Sequence, residues 1–169
     1  MKLVRRGDRS ALRELFDRHH RQVFGFVLGR LGDADPSEDV AQEVFIRVWR
    51  YRDSYDTDRR FLPWLYRITR NLLSDSKSGP VLDSPGNDAP SSHLPPDEQF
   101  EERQRAEKVR SAVLGLPPAQ REVLLLSRWS GMTYREIGDI VGCSEGAVKV
   151  RVHRALEALR SPLAPLRED

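Results

Sequence analysis

The sequence predicts an all-α protein of two small helical domains, a bundle followed by a helix-turn-helix bundle, joined by a proline-rich linker. Three observations predict this. Apolar residues recur at helical spacing through two blocks, about Arg9 to Ser76 and about Pro96 to Arg160, while strand signals are nearly absent. Between the blocks, Ser78-Gly79-Pro80, Pro85-Gly86, Pro90 and Pro95-Pro96 remove backbone donors and disfavour helix. Helix start and stop signals then recur inside each block. The bounds read as a first domain over 1–77, a linker over 78–96 and a second domain over 97–169. At roughly 70–80 residues, one core rarely supplies more than ~3–5 kcal/mol, so each domain is of marginal size.

In the first block, Asp35-Pro36-Ser37-Glu38 reads as a helix start, with Asp35 as N-cap, Pro36 at the first helical position and Glu38 reaching back. Val40, Ala41, Val44, Phe45, Val48 and Trp49 form an apolar stripe for the core. The opposite face carries Asp39, Gln42, Glu43, Ile46 and Arg50. That pattern suits either a solvated face or a docking surface with an apolar centre and polar rim. After the polar loop Tyr51-Arg52-Asp53-Ser54-Tyr55 comes Arg59-Arg60-Phe61-Leu62-Pro63-Trp64-Leu65-Tyr66-Arg67-Ile68, where aromatic and basic residues interleave. Leu62, Leu65, Ile68 and Leu72 supply a core stripe, so Phe61, Trp64 and Tyr66 are not all needed inside. Cations track phosphates and flat rings stack on unpaired bases. Trp64 could equally plug the core; Tyr55, in a polar loop, is expected outside it.

In the second block, Leu116-Pro117-Pro118 ends one helix and opens the next. Thr133-Tyr134-Arg135-Glu136 is a capping box whose helix ends near Gly142, and Ser144 caps the helix after it. Helix, glycine turn and helix make a helix-turn-helix, with Gly138 at the crossing, Cys143 buried in the turn, and Ile137, Val141, Val148 and Val152 facing inward. Outward, Lys149, His153 and Arg154 project together with Arg151 to one side. Such a face fits a major groove, where Arg and Lys reach guanine edges or phosphates.

Bulk properties set limits. A net charge of +2 places any polyanion binding in local clusters rather than in the whole field. The single cysteine, Cys143, permits no internal disulfide and fits a reducing compartment. No apolar run approaches the ~18 residues of a membrane span, and Met1-Lys2-Leu3-Val4-Arg5-Arg6 does not read as a signal peptide; the expected location is cytoplasmic. Adjacent His19 and His20 point about 100° apart on a helix. No phosphate-cradling glycine loop occurs, and neither a catalytic base, a cofactor nor a metal set is expected.

Two spaced motifs carry a resemblance. Asp39-Val40-Ala41-Gln42-Glu43-Val44-Phe45-Ile46-Arg47-Val48-Trp49 and Phe61-Leu62-Pro63-Trp64-Leu65-Tyr66-Arg67-Ile68 resemble the core domain of sigma-70 family factors, in particular the extracytoplasmic-function (ECF) group. Gly146-Ala147-Val148-Lys149-Val150-Arg151-Val152-His153-Arg154-Ala155 is similar to that family's −35-reading helix. The resemblance implies a transcription initiation factor, not an enzyme, that binds core RNA polymerase through the β′ clamp helices and the β flap. It places Asp39, Gln42, Glu43 and Ile46 at the clamp helices, and Tyr55, Arg60, Trp64, Arg67 and Asn71 at the −10 element, with Tyr55 in the base-capturing loop. It places Lys149, Arg151, His153 and Arg154 at the −35 duplex. It also implies an anti-sigma factor as a further partner and no obligate homo-oligomer. Past Asp75 the family continues with several arginines; here Ser74-Asp75-Ser76-Lys77-Ser78-Gly79 offers only Lys77. A LuxR-like regulator is the competing reading. It shares the Arg-Glu-Val-Leu-Leu-Leu run and the helix-turn-helix, and leaves the first block unexplained.

Overall fold

The computed structural model describes residues 1–75 and 96–166; the linker expected at 78–96 and the Lys77 tail lie almost wholly outside them. Several of the helices begin or end on local capping signals. A one-turn helix α1, Lys2–Arg5, buries Val4 and leads into α2, Arg9–Leu31. Asp8 caps α2, its side chain accepting from the Ser10 N–H at 2.8 Å and the Ala11 N–H at 3.1 Å. Gly32, at φ +82°, ends it in the left-handed region.

The next helix, α3, spans Ala34–Arg50 and starts earlier than the sequence reading. Its N-cap is Asp33, whose side chain accepts from the Asp35 N–H at 3.2 Å. Asp35 and Pro36 therefore lie inside the first turn, where proline's missing N–H costs nothing. Glu38, instead of reaching back, accepts from the Gln42 amide at 2.9 Å. Of the predicted stripe, Ala41, Val44, Phe45 and Val48 are buried, with Val40 and Trp49 half-buried. A 3-10 turn at Arg52–Ser54 leads to α4, Phe61–Asp75. Here the three rings do not all go inside, as the sequence reading expected. Tyr66 is fully buried, edge-on to Phe26 with centroids 5.3 Å apart, while Phe61 and Trp64 are half-buried.

In the second block, α5 spans Pro96–Leu114 and α6 spans Pro118–Trp129, with Pro118 at the helix start. The capping box forms as read: Thr133 and Glu136 exchange hydrogen bonds to open α7, Tyr134–Val141, and Gly142 at φ +75° closes it. Ser144 accepts from the Ala147 N–H at 3.2 Å to start α8, Glu145–Arg160. Gly138 sits at the crossing, where a Cβ would meet the Cys143 carbonyl oxygen at 2.5 Å. Cys143 itself is half-buried rather than buried.

The two blocks pack together, a point the sequence leaves open. Helix α6 lies on α2, and α7 on α4. Two glycines one turn apart on α2 let α6 in closely. A Cβ on Gly25 would stand 3.3 Å from the Trp129 ring, and one on Gly29 would stand 2.5 Å from Leu125. Glu122 of α6 reaches both Arg30 of α2, at 3.4 Å, and Arg70 of α4, at 3.0 Å. One continuous apolar core thus runs from Val23 and Phe26 through Leu65 to Leu126, Ile137 and Val148.

Candidate nucleic-acid interface

On the outer face of α3, Asp39, Gln42 and Ile46 are exposed and Glu43 is half-buried beside Arg47, with the ion pair at 3.2 Å. Ile46, 52% exposed, is an apolar centre within a polar rim. No described residue covers it. The arrangement has the composition of a docking patch.

The five residues expected at the −10 element fall along two adjoining clefts that share Trp64 and Arg67. One, of about 530 Å³, is lined by Tyr55, Arg60, Trp64 and Arg67 together with Arg59, Glu136 and Asp139. The other, of about 550 Å³, holds Asn71 with Arg47, Tyr51 and Ile68. The position of Tyr55 corrects an expectation. It is only 5% exposed, with its ring against Trp64 at 5.0 Å and Phe61 at 6.2 Å. Its hydroxyl donates to the Arg59 carbonyl. Burial, with Asp56 adding to it, raises the phenol pKa, so the group stays a neutral donor. Tyr55 is therefore a wall of the cleft, not a free ring on a loop. Arg60 lies just before α4 rather than on it. Sequence reasoning passed over Tyr51, a 47% exposed ring beside Asn71; its place next to Arg50 and Arg52 was the available signal.

On α8, Lys149, His153 and Arg154 are exposed and make no ion pair among the described residues. Arg151 is half-buried, and its Nη1 donates to the Cys143 Sγ at 3.5 Å, which turns it toward the turn. Val150, 49% exposed, gives the basic face an apolar spot suited to a thymine methyl.

Glu136 links two of these surfaces. Besides closing the capping box, it accepts from Arg60 at 2.6 Å and 2.7 Å. Burial alone would raise its pKa. The Thr133 N–H and hydroxyl and the Arg60 guanidinium outweigh that and hold the carboxyl below its ordinary 4.5. A depressed folded pKa contributes stability that is present above 4.5 and is lost as pH falls through the lower folded value. Acidification below that range should therefore loosen the α7 cap and the Arg60 contact together. A carboxyl-carbon NMR titration checks this: a Glu136 midpoint at or above 4.5 contradicts it.

Arginine-lined clefts flanked by rings, with a helix-turn-helix that presents an exposed cationic helix face, are an arrangement suited to nucleic acid. Comparisons with known proteins then place the chain. The family model for Sigma-70 region 2 matches residues 15–78, and that for Sigma-70, region 4 matches residues 106–159. The ECF RNA polymerase sigma factor SigW of Bacillus subtilis is 31% identical, over 98% of this chain and 96% of its own length. The RNA polymerase sigma factor CarQ of Myxococcus xanthus is 32% identical, over 98% of this chain and 97% of its own. Among solved structures, CnrH in complex with the cytosolic domain of CnrY superposes with a TM-score of 0.73 at 25% identity, covering 97% of this chain and 94% of that one. The chain belongs to the sigma-70 family, and within it to the ECF group of RNA polymerase sigma factors. It is thus a transcription initiation factor and not an enzyme. The region 2 match accounts for the first block, so the LuxR-like reading is not favoured. No helix among the described residues is long and apolar enough to cross a membrane.

Proposed function

We propose that the chain docks on core RNA polymerase and chooses promoters by reading a −35 duplex with α8 and capturing −10 bases in the α4 clefts. The observation that carries this is an exposed cationic face on α8 together with two ring-and-arginine clefts along α4. Asp39, Gln42, Glu43 and Ile46 would meet the β′ clamp helices, and the second module the β flap. Lys149, His153 and Arg154 would read the upstream duplex, with Arg151 braced against the turn. Tyr55, Arg60, Trp64, Arg67 and Asn71 would hold the opened strand. The reaction takes place where RNA polymerase works, in the cytoplasm, and the domain division at 1–77, 78–96 and 97–169 follows from this separation of tasks. An anti-sigma partner is part of the proposal, supported by the structural neighbour in which the sigma factor RpoE of Bartonella quintana is bound to the anti-sigma factor NepR.

Magnitudes explain why polymerase is needed. Opening duplex costs about 1.4 kcal/mol per stacked step, and base–aromatic stacking returns roughly 1–3 kcal/mol per base. Two captured bases barely offset a few opened steps, so the chain alone should bind promoter DNA weakly. Division of labour is the test. With holoenzyme, Lys149→Ala or Arg154→Ala should weaken use of the −35 element by about 1–3 kcal/mol and leave permanganate reactivity of an already opened −10 region unchanged. Trp64→Ala should do the reverse. Equal losses in both assays from either substitution would reject the assignment.

A further inference from the structure

The outward pole of α8 is apolar. At about 100° per residue, Val150 stands two positions from both Val148 and Val152. It therefore points nearly opposite the buried stripe of Val148, Val152, Ala155 and Leu159. It is 49% exposed and lies outside both apolar clusters of the described residues. Lys149 and His153 flank it on one side and Arg154 on the other, all three exposed. One turn earlier the same line holds Gly146, where even a Cβ would meet open space. One turn later comes Glu157, paired with Arg160 at 2.8 Å. A carboxylate there repels phosphate, so the usable face ends before it. Folding does not account for a valine at 150. Its neighbours at helical spacing are Gly146, Ala147, His153 and Arg154, none a large aliphatic partner, and valine is a poorer helix former than alanine, lysine or arginine.

We propose that Val150 is the residue with which this chain selects thymine in the upstream element, its methyl groups seated against a thymine 5-methyl on the floor of the major groove. This rests on the reading of α8 as the duplex-reading helix. A helix that enters a groove about 8.5 Å deep puts the pole of its outward face lowest. Gly146 keeps the approach clear. Lys149 and Arg154 end in flexible cations, which follow phosphates or guanine edges over a range of positions. Valine instead holds one strongly preferred rotamer in a helix, so its methyls are in place before DNA arrives. Little side-chain freedom is lost on contact, and a misfitting base cannot be met by side-chain movement. Among the four bases only thymine shows a methyl in that groove. The amine of cytosine, or the polar edge of a purine, would be desolvated against valine with no partner. One residue thus attracts thymine and rejects the other three.

The test uses the full chain with core polymerase and a promoter duplex in which each thymine of the upstream element, on either strand, is replaced singly by uracil. That exchange removes the 5-methyl and nothing else. Wild-type holoenzyme should lose about three- to fivefold in affinity at one thymine, the worth of one buried methyl group, and little at the others. Val150→Ala should bind the all-thymine duplex more weakly by a similar factor, and should make no further distinction when that one thymine becomes uracil. Its melting temperature should not fall, because Val150 supports no core. A fall would mark Val150 as a packing residue and overturn the assignment. So would an upstream element without thymine, uracil that is silent at every position, or an equal uracil penalty in wild type and Val150→Ala, while Lys149→Ala or Arg154→Ala still weakens use of the −35 element. If those two variants and replacement of the whole upstream element also change nothing, α8 is not the duplex reader, and the role of Val150 falls with that reading.

Discussion

Gly138→Ala should destabilise the second module by about 1–3 kcal/mol, the usual range for forcing atoms into a closed space, and Gly138→Val by more. The new Cβ would stand 2.5 Å from the Cys143 carbonyl oxygen, a backbone atom fixed between α7 and α8. Relief would require the two helices to part. The turn between them is tied by the Gly142 and Cys143 N–H groups, both donating to the Gly138 carbonyl at 2.8 Å and 3.0 Å. Gly142→Ala makes the control. At φ +75° the added methyl meets open space, so only backbone strain of about 1 kcal/mol applies. Urea titration of the two variants should rank Gly138→Ala as the more damaging. The opposite ranking would mean that the helix crossing is looser than the structure has it.

Glu122→Leu should have the second large effect, and on both modules at once. Glu122 is 13% exposed and serves Arg30, itself 12% exposed, as well as Arg70. Removing it leaves two guanidiniums facing an apolar residue without a counter-charge. Breaking a fully buried pair costs ~3–5 kcal/mol. Arg70 is 36% exposed and keeps the Ile140 carbonyl, so about 2 kcal/mol is expected here, discounted for solvent screening. Because the ion pairs join α6 to both α2 and α4, the melt should change shape too. Wild type should unfold in one transition, and the variant in two, as each module loses its neighbour. A single unshifted transition in calorimetry would show that Glu122 contributes nothing to the junction.

Much of the fold was legible because its signals are local. Thr133 with Glu136, Ser144 and Gly142 mark helix ends within a few residues, and each end falls where the spacing placed it. The start of α3 was misplaced for an equally local reason. Asp33 and Asp35 both satisfy the N-cap pattern, and Pro36 suits any position of a first turn. Burial of Tyr55 was not legible, because Phe61 and Trp64 close over it only once α4 folds back. Tyr66 went inside since the α2 face at Phe26 admits a large ring. The junction was hardest to foresee. Arg60–Glu136 and Arg70–Glu122 join residues 76 and 52 positions apart, and no periodicity encodes such pairs. Gly25 and Gly29, one turn apart on α2, were the single sequence trace of a helix arriving there. Of the candidate site, the residue types and faces were readable; that the −10 residues divide between two clefts, one of them shared with α7, was not.

Core RNA polymerase should take its choice of start site from this chain. Run-off transcription on a promoter library, with purified core enzyme and this chain as the sole added factor, tests it most directly. The expected result is a small set of shared upstream and −10 sequences giving defined transcripts, abolished by Ile46→Asp at the docking face. Transcripts identical to those of core enzyme alone, across the whole library, would contradict the account.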